Sequence, residues 1–110
     1  MAMTQAFSEV EPARADIDAL AEPTVLEFGT PWCGFCRAAQ PAITEAFTAH
    51  TGLRHIKVED GSGRPLGRSF KVKLWPTLIF LSQGKEVARL VRPENARVID
   101  EAMRKIETAA

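Results

Sequence analysis

The residues of this chain that could do redox or metal chemistry are two cysteines, which lie two residues apart in the segment Trp32–Cys36 (WCGFC). Cysteines at this spacing can close a disulfide with little backbone movement. Cys33 is predicted at a helix N-terminus, where unpaired backbone N–H groups and the helix dipole favour an anion. Since the thiolate is the reactive form, this position predicts that Cys33 is a nucleophile. Cys36, one turn further and facing inward, is the natural resolving thiol.

A single acid, Glu27, interrupts the apolar run Thr24–Gly29 that comes before the cysteines. Compact apolar runs of this kind are typical of strands buried in parallel sheets. Burial would disfavour the charge of Glu27, whereas a nearby Lys57 would favour it. A carboxylate beneath the thiols could take the proton of Cys36 when that thiol attacks. The alternative is that Glu27 lies on a strand edge and faces water.

The elements that must position these residues alternate along the chain. Strands are predicted at Phe7–Val10, Thr24–Gly29, Leu53–Glu59, Pro76–Leu81 and Glu86–Val91, and helices after Pro12, from Cys33 to about His50, over Pro65–Phe70 and from Asn95. Pro41 falls inside the second helix and is expected to kink it. The order β-α-β-α-β-α-β-β-α predicts an α/β fold, with a central mixed β-sheet and helices on both faces.

These motifs together resemble the thioredoxin family, over nearly the whole chain from about Phe7 to Ile106. The matching positions are Phe28, Trp32–Gly34 and Cys36 for the strand and active-site motif, Pro41 for a helix-kinking proline, Trp75–Thr77 for a loop with a cis-proline, Gly84 for a hairpin glycine, and Glu27 with Lys57 for a buried acid and its lysine partner. A bare C-x-x-C pair is a weak signal, but all of these in register are a strong one.

The resemblance implies a thioredoxin fold and a thiol-disulfide oxidoreductase that reduces or exchanges protein disulfides by a dithiol mechanism. It implies that the Trp75–Pro76 peptide bond is cis, and that Pro76 positions the substrate backbone and keeps metals off the thiols. No organic cofactor is expected beyond the redox-active disulfide Cys33–Cys36. The implied partners are disulfide-containing proteins and a flavoprotein thioredoxin reductase, and a monomer is expected.

The predicted substrate surface departs from the commonest family pattern. Its candidate residues are Trp32, Gly34, Phe35, Trp75, Pro76 and Arg92. Phe35 replaces a common proline and returns a backbone N–H that is expected to point toward the Cys33 sulfur. Arg92 would add a positive charge, so we expect a less reducing protein than a thioredoxin with Gly-Pro between its cysteines. Trp75 is either a core aromatic or a wall beside Cys33.

Length and charge restrict the remaining possibilities. The 110 residues predict one domain over 1–110, with residues 1–6 as a flexible N-terminus. A net charge of zero argues against a dedicated nucleic-acid binder. No apolar run approaches the ~20 residues that span a bilayer and no signal peptide is evident, so a cytoplasmic location is expected. Residues 54–92 nevertheless carry nine basic residues against three acidic ones, which is either a basic face for acidic partners or a chance cluster.

Three alternatives stay open at this point. Cys33, Cys36, His50 and His55 approach the spacing of a Cys2His2 zinc site, although Gly52 interrupts the helix on which both histidines would have to lie. Some thioredoxin-like domains act as assembly or chaperone partners without catalysis. A glutaredoxin-like protein would use glutathione, but no clear glutathione-binding loop follows the strand that Pro76 opens.

Overall fold

The computed structural model describes residues 6–108. Their elements are α1 Arg14–Asp18, β1 Thr24–Gly29, α2 Gly34–Thr48, β2 Arg54–Glu59, α3 Pro65–Ser69, β3 Thr77–Ser82, β4 Lys85–Val91 and α4 Ala96–Thr108. The predicted α/β class is confirmed, and so is the predicted order from α1 to α4, but the strand predicted before α1 is not formed. A flexible N-terminus is predicted over residues 1–6, and residues 1–5 of this segment lie outside the described residues. None of the described helices is long and apolar enough to cross a membrane.

The predicted strand at Phe7–Val10 is wrong. Ser8 makes an isolated parallel bridge to Val58, and the pairing does not extend into a strand. The hydroxyl of Ser8 accepts a hydrogen bond from the backbone N–H of Val10 and donates one to its carbonyl oxygen. The N–H and the carbonyl oxygen of Val10 are therefore bonded to the Ser8 hydroxyl and are not available to pair with a neighbouring strand.

The described strands form one sheet in the order β2-β1-β3-β4. β1 pairs parallel with β2 and antiparallel with β3, and β3 pairs antiparallel with β4. One hydrophobic core lies between the sheet and α2 with α4, and it includes Val25 of β1. A second core on the opposite face includes Leu26 and Phe28. Because side chains alternate along a strand, Glu27 faces α2 together with Val25.

The register of the strands brings three loops together at one end of the sheet, where β1 and β4 end and β3 begins. β1 ends at Gly29, so the cysteine segment follows directly at this end. Thr77 of β3 pairs with both Phe28 of β1 and Val91 of β4. The residues that precede Thr77 and those that follow Val91 are therefore held beside the cysteines.

His50 fastens the end of α2 to α4. Its ring nitrogen Nδ1 lies 2.6 Å from Oε1 of Glu107, and Nε2 lies 2.5 Å from Oδ1 of Asp100. The hydrogen bond from His50 lowers the pKa of the Asp100 carboxyl below its usual value. Asn95 accepts a hydrogen bond from the N–H of Val98 at 3.1 Å, which caps α4 as the sequence predicted.

A side chain in place of Gly84, in the β3–β4 turn, is predicted to destabilise the fold. Its φ is +77°, and an added Cβ would lie 1.9 Å from the backbone oxygen of Asp18. We expect Gly84→Ala to lower the free energy of unfolding by about 2 kcal/mol or more, because strain and overpacking each cost on the order of 1–3 kcal/mol. Chemical denaturation measures this effect. Gly52→Ala is the matched control, since an added Cβ there meets no atom within 4 Å. Equal unfolding midpoints for the two variants would contradict this account.

Candidate active site

Cys33 caps the N-terminus of α2. Its backbone is extended, with φ −80° and ψ 120°, and its Sγ accepts a hydrogen bond from the backbone N–H of Cys36 at 3.2 Å. The predicted position at the helix N-terminus is confirmed, but the donor to the sulfur belongs to Cys36 and not to Phe35. Both cysteines are free thiols, and Cys33 is the one with residual exposure, at 9%. A thiolate at Cys33 therefore meets an aligned N–H and the positive end of the helix dipole.

Cys36 is fully buried beneath Cys33. Burial raises the pKa of the Cys36 thiol to about 12; the hydrogen bond with Cys33 adds to this rise, and a backbone hydrogen bond from Thr30 opposes it. The negative charge of Glu27 contributes in the raising direction. At neutral pH, Cys36 therefore holds its proton and needs a base before it can attack.

Gly29 leaves the space that Cys36 occupies. A Cβ at this position would lie 2.6 Å from the sulfur of Cys36 and 2.8 Å from the ring of Phe7. The sulfur of Cys36 and the ring of Phe7 therefore occupy the volume that a side chain at this position would need.

Glu27 is fully buried in β1, which lies between β2 and β3. The alternative that it faces water at a strand edge is therefore wrong. Its Oε1 lies 2.9 Å from Nε2 of His55, and its Oε2 accepts a hydrogen bond from Nε2 of Gln40 at 3.0 Å. Lys57 Nζ lies 3.9 Å from the same Oε2 and donates to Oε1 of Gln40 at 2.8 Å. The contact that the sequence predicted between Lys57 and Glu27 is thus accompanied by a bridge through Gln40.

Two members of this buried network, His55 and Gln40, were missed as functional residues by the sequence analysis. The sequence indicates His55 only as a possible zinc ligand, but its ring stacks on that of Phe47, with centroids 4.6 Å apart, and contacts Glu27. Gln40 also donates to the carbonyl oxygen of Cys36 at 2.8 Å. The available signals were spacings: Gln40 follows Cys36 by one helical turn, and His55 shares a strand face with Lys57.

Aromatic and aliphatic side chains are exposed around Cys33. The exposed fractions are 68% for Trp32, 58% for Phe35, 48% for Leu74 and 47% for Val91. Trp75 belongs to neither core; its ring meets that of Trp32 edge to face, with centroids 5.8 Å apart. Exposed apolar patches of this kind mark surfaces for protein partners.

Arg92 connects Phe35 to the loop that precedes β3. Its guanidinium lies 3.8 Å from the centroid of the Phe35 ring, and its Nε donates to the carbonyl oxygen of Trp75 at 2.9 Å. The Trp75–Pro76 bond is cis, as expected. The backbone N–H of Arg92 donates to the carbonyl oxygen of Pro76 at 2.9 Å, so the two loops are tied together.

The zinc hypothesis fails on geometry. His50 holds carboxylates of α4 and His55 holds Glu27, so neither histidine is directed to the cysteines. Within residues 6–108, no three side chains of His, Cys, Asp or Glu are grouped closely enough to hold a metal ion.

Comparison with known proteins gives one consistent family. The Thioredoxin family model matches residues 7–105. Thioredoxin 2 from Pseudomonas aeruginosa PAO1, solved in its reduced form, is 55% identical, with a TM-score of 0.85 over 94% of this chain and 96% of that chain. Thioredoxin-1 from Caenorhabditis elegans is 35% identical over 66 residues, which are 60% of this chain and 57% of the relative. Thioredoxin H-type from Fagopyrum esculentum is 29% identical over 86 residues, which are 78% of this chain and 71% of the relative.

The unequal environments of the two thiols predict unequal alkylation. In the reduced native protein, iodoacetamide at about pH 8 should label Cys33 and leave Cys36 unlabelled, because a thiol with a pKa near 12 is ionised to about one part in ten thousand there. Peptide mass spectrometry measures the labelling. The control is the same reaction in denaturant, where both cysteines should react. Equal labelling of the native protein would contradict the assigned environments.

Proposed function

Because this chain belongs to the thioredoxin family, we propose that it is a thiol-disulfide oxidoreductase that reduces disulfides of substrate proteins by dithiol exchange. The observation that supports this most directly is the pairing of Cys33, which caps α2, with a fully buried Cys36. A scaffold or chaperone role would not require this pair, nor a carboxylate buried beside it.

The first step is nucleophilic. The Cys33 thiolate attacks one sulfur of the substrate disulfide, the other substrate sulfur leaves as a thiolate, and a mixed disulfide forms. The N–H of Cys36, 3.2 Å from Cys33 Sγ, favours the attacking thiolate. Trp32, Gly34, Phe35, Trp75, Pro76 and Arg92 form the proposed surface on which the substrate segment lies.

The second step resolves the mixed disulfide. Cys36 loses its proton and attacks Cys33 Sγ, the second substrate sulfur leaves, and a Cys33–Cys36 disulfide remains. Two electrons have then passed from the protein dithiol to the substrate. We assign Glu27 as the acceptor of the Cys36 proton, because it is a buried carboxylate whose charge acts on that thiol.

Three side chains hold Glu27 for this role. Gln40 spans the two groups, since it donates both to Oε2 of Glu27 and to the carbonyl oxygen of Cys36. His55 holds the other carboxylate oxygen. Lys57 is the proposed tuning partner of the carboxylate, with its Nζ 3.9 Å from Oε2.

The proposed electron source is a flavoprotein thioredoxin reductase in the cytoplasm. Reduction of insulin disulfides with such a reductase, compared with reduction driven by glutathione, tests the assignment. Turnover with the reductase is expected. Turnover with glutathione alone would favour a glutaredoxin-like protein, and no turnover in either assay would favour an assembly or chaperone partner.

The division of labour between the thiols predicts different defects for the two serine variants. Cys33→Ser should abolish turnover, because no nucleophile remains at the N-terminus of α2. Cys36→Ser should attack substrates once and then accumulate mixed disulfides, because no thiol resolves them. Non-reducing electrophoresis after incubation with a disulfide protein measures the adducts. Equal trapping by both variants would contradict the assignment.

The contact between Arg92 and Phe35 predicts a less negative reduction potential for the Cys33–Cys36 disulfide. The guanidinium of Arg92 lies over the ring of Phe35, two residues along the chain from Cys33, and we propose that this cation favours the reduced form, which makes the disulfide a stronger oxidant. Phe35→Pro removes the ring under Arg92, so we expect a potential more negative by roughly 30 mV, about 1.4 kcal/mol for a two-electron couple. Equilibration with a glutathione buffer measures it.

Phe35→Leu is the matched control for the backbone. It keeps the N–H that proline lacks but removes the aromatic platform, so it should shift the potential in the same direction. An unchanged or less negative potential in Phe35→Pro would show that this position does not set the redox poise.

A further inference from the structure

A basic cleft opens beside the active site, at the edge of the sheet where β2 ends and β3 begins. It has a volume of about 320 Å³. The side chains that define this basic cleft are Asp60, Arg64, Arg68, Lys71, Lys73 and Trp75. Four cations against one carboxylate give it a positive field, and the cleft concentrates much of the basic excess found in residues 54–92.

Three of these four cations are available to bind an anionic ligand. Arg68, Lys71 and Lys73 are exposed, and none of them forms an ion pair with the part of the chain that the structure describes. Arg64, by contrast, lies 3.6 Å from Glu59 and donates to a backbone carbonyl at 2.6 Å. Uncommitted cations in a concave surface attract carboxylates with little loss of existing contacts.

The one acid of the cleft is already engaged. Oδ2 of Asp60 accepts the indole N–H of Trp75 at 2.9 Å, and its carboxylate packs so closely on Gly67 that an added Cβ there would lie 2.3 Å from Oδ1. Asp60 therefore holds Trp75 in place, and among the described residues it forms no ion pair with Arg68, Lys71 or Lys73.

Trp75 joins the cleft to the cysteines. Its indole N–H is held by Asp60 in the cleft, and its ring packs edge to face with that of Trp32, the residue before Cys33. The exposed Leu74 lies beside it in sequence. A substrate segment that crosses Trp75 from Cys33 would bring its next residues over the basic cleft.

We infer that the basic cleft binds an acidic segment next to the target disulfide, so that the preferred substrates are proteins whose reducible cysteine is flanked by aspartate or glutamate. This inference rests on the proposed function and adds the substrate class to it. The carboxylates would pair with Arg68, Lys71 and Lys73, while the disulfide lies at Cys33. Charge pairing of this kind acts chiefly on the rate of association and is screened by salt.

Pre-reduced protein and two synthetic peptides test the inference. Both peptides contain one disulfide loop, followed by three aspartates in one peptide and three asparagines in the other. We expect the second-order rate constant of reduction to be about tenfold higher for the aspartate peptide at low ionic strength. The difference should largely disappear at about 0.5 M salt.

A charge-reversal variant assigns the effect to the cleft. Arg68→Glu/Lys71→Glu/Lys73→Glu should lose the preference for the aspartate peptide and reduce the asparagine peptide as the wild type does. Lys85→Glu, at the turn end of the β3–β4 hairpin, reverses one cation outside the cleft and should keep the preference, whereas Lys73→Glu alone should weaken it. Equal rates for the two peptides with the wild-type protein at low salt would overturn the inference.

Binding without chemistry separates this inference from the proposed function. A fluorescent aspartate peptide without cysteines should bind the wild type several-fold more tightly than the charge-reversal variant. Failure to reduce either peptide, with this binding intact, would overturn the proposed function and support the cleft. Displacement of the peptide by a short oligonucleotide at a lower concentration than by unlabelled peptide would instead indicate a phosphate ligand and overturn the inference.

Discussion

The carboxylate of Glu27 lies in the middle of the sheet without exposure to water, and this burial governs how the surrounding elements must fit. A buried carboxylate is tolerated only if its oxygens are paired, and removing one partner of a buried ion pair costs on the order of 3–5 kcal/mol. Its partners come from different elements: Gln40 from α2, and His55 with Lys57 from β2. The network therefore fixes α2 and β2 against β1 and also holds in place the carboxylate that we propose as the base.

The same constraint explains the asymmetry of the two thiols. α2 must lie close over β1 for Gln40 to reach Glu27, and this approach buries Cys36 against Gly29. Cys33 lies one turn earlier, at the N-terminus of α2, and keeps a small exposed fraction of 9%. Cys33 thereby keeps access to the surface while Cys36 is held protonated, which is the asymmetry that the proposed dithiol exchange requires.

The cysteine motif, the apolar strand with one acid and the mixed sheet with helices on both faces were predictable, because each depends on local spacing and on periodicities of 2 and 3.6 residues. The contact of His55 with Glu27 was not, because it depends on the register of β1 with β2. The stacking of Phe35 under Arg92 was not predictable either, since the two loops meet only after β3 and β4 have paired. The false strand at Phe7–Val10 shows the converse: a suitable pattern does not form a ladder where a serine turn takes the backbone groups.

The proton transfer from Cys36 to Glu27 is the central claim, and the reduction of dithiobis(nitrobenzoate) tests it most directly, because attack and resolution each release one absorbing thiolate. In Glu27→Gln, the first release should keep its wild-type rate and the second should slow at least tenfold near pH 7, since general-base catalysis is worth about 10²–10⁴ in rate. The gap between variant and wild type should narrow as pH rises toward the pKa of about 12 of Cys36, because hydroxide then removes the proton. Two releases with unchanged rates in Glu27→Gln would contradict the account.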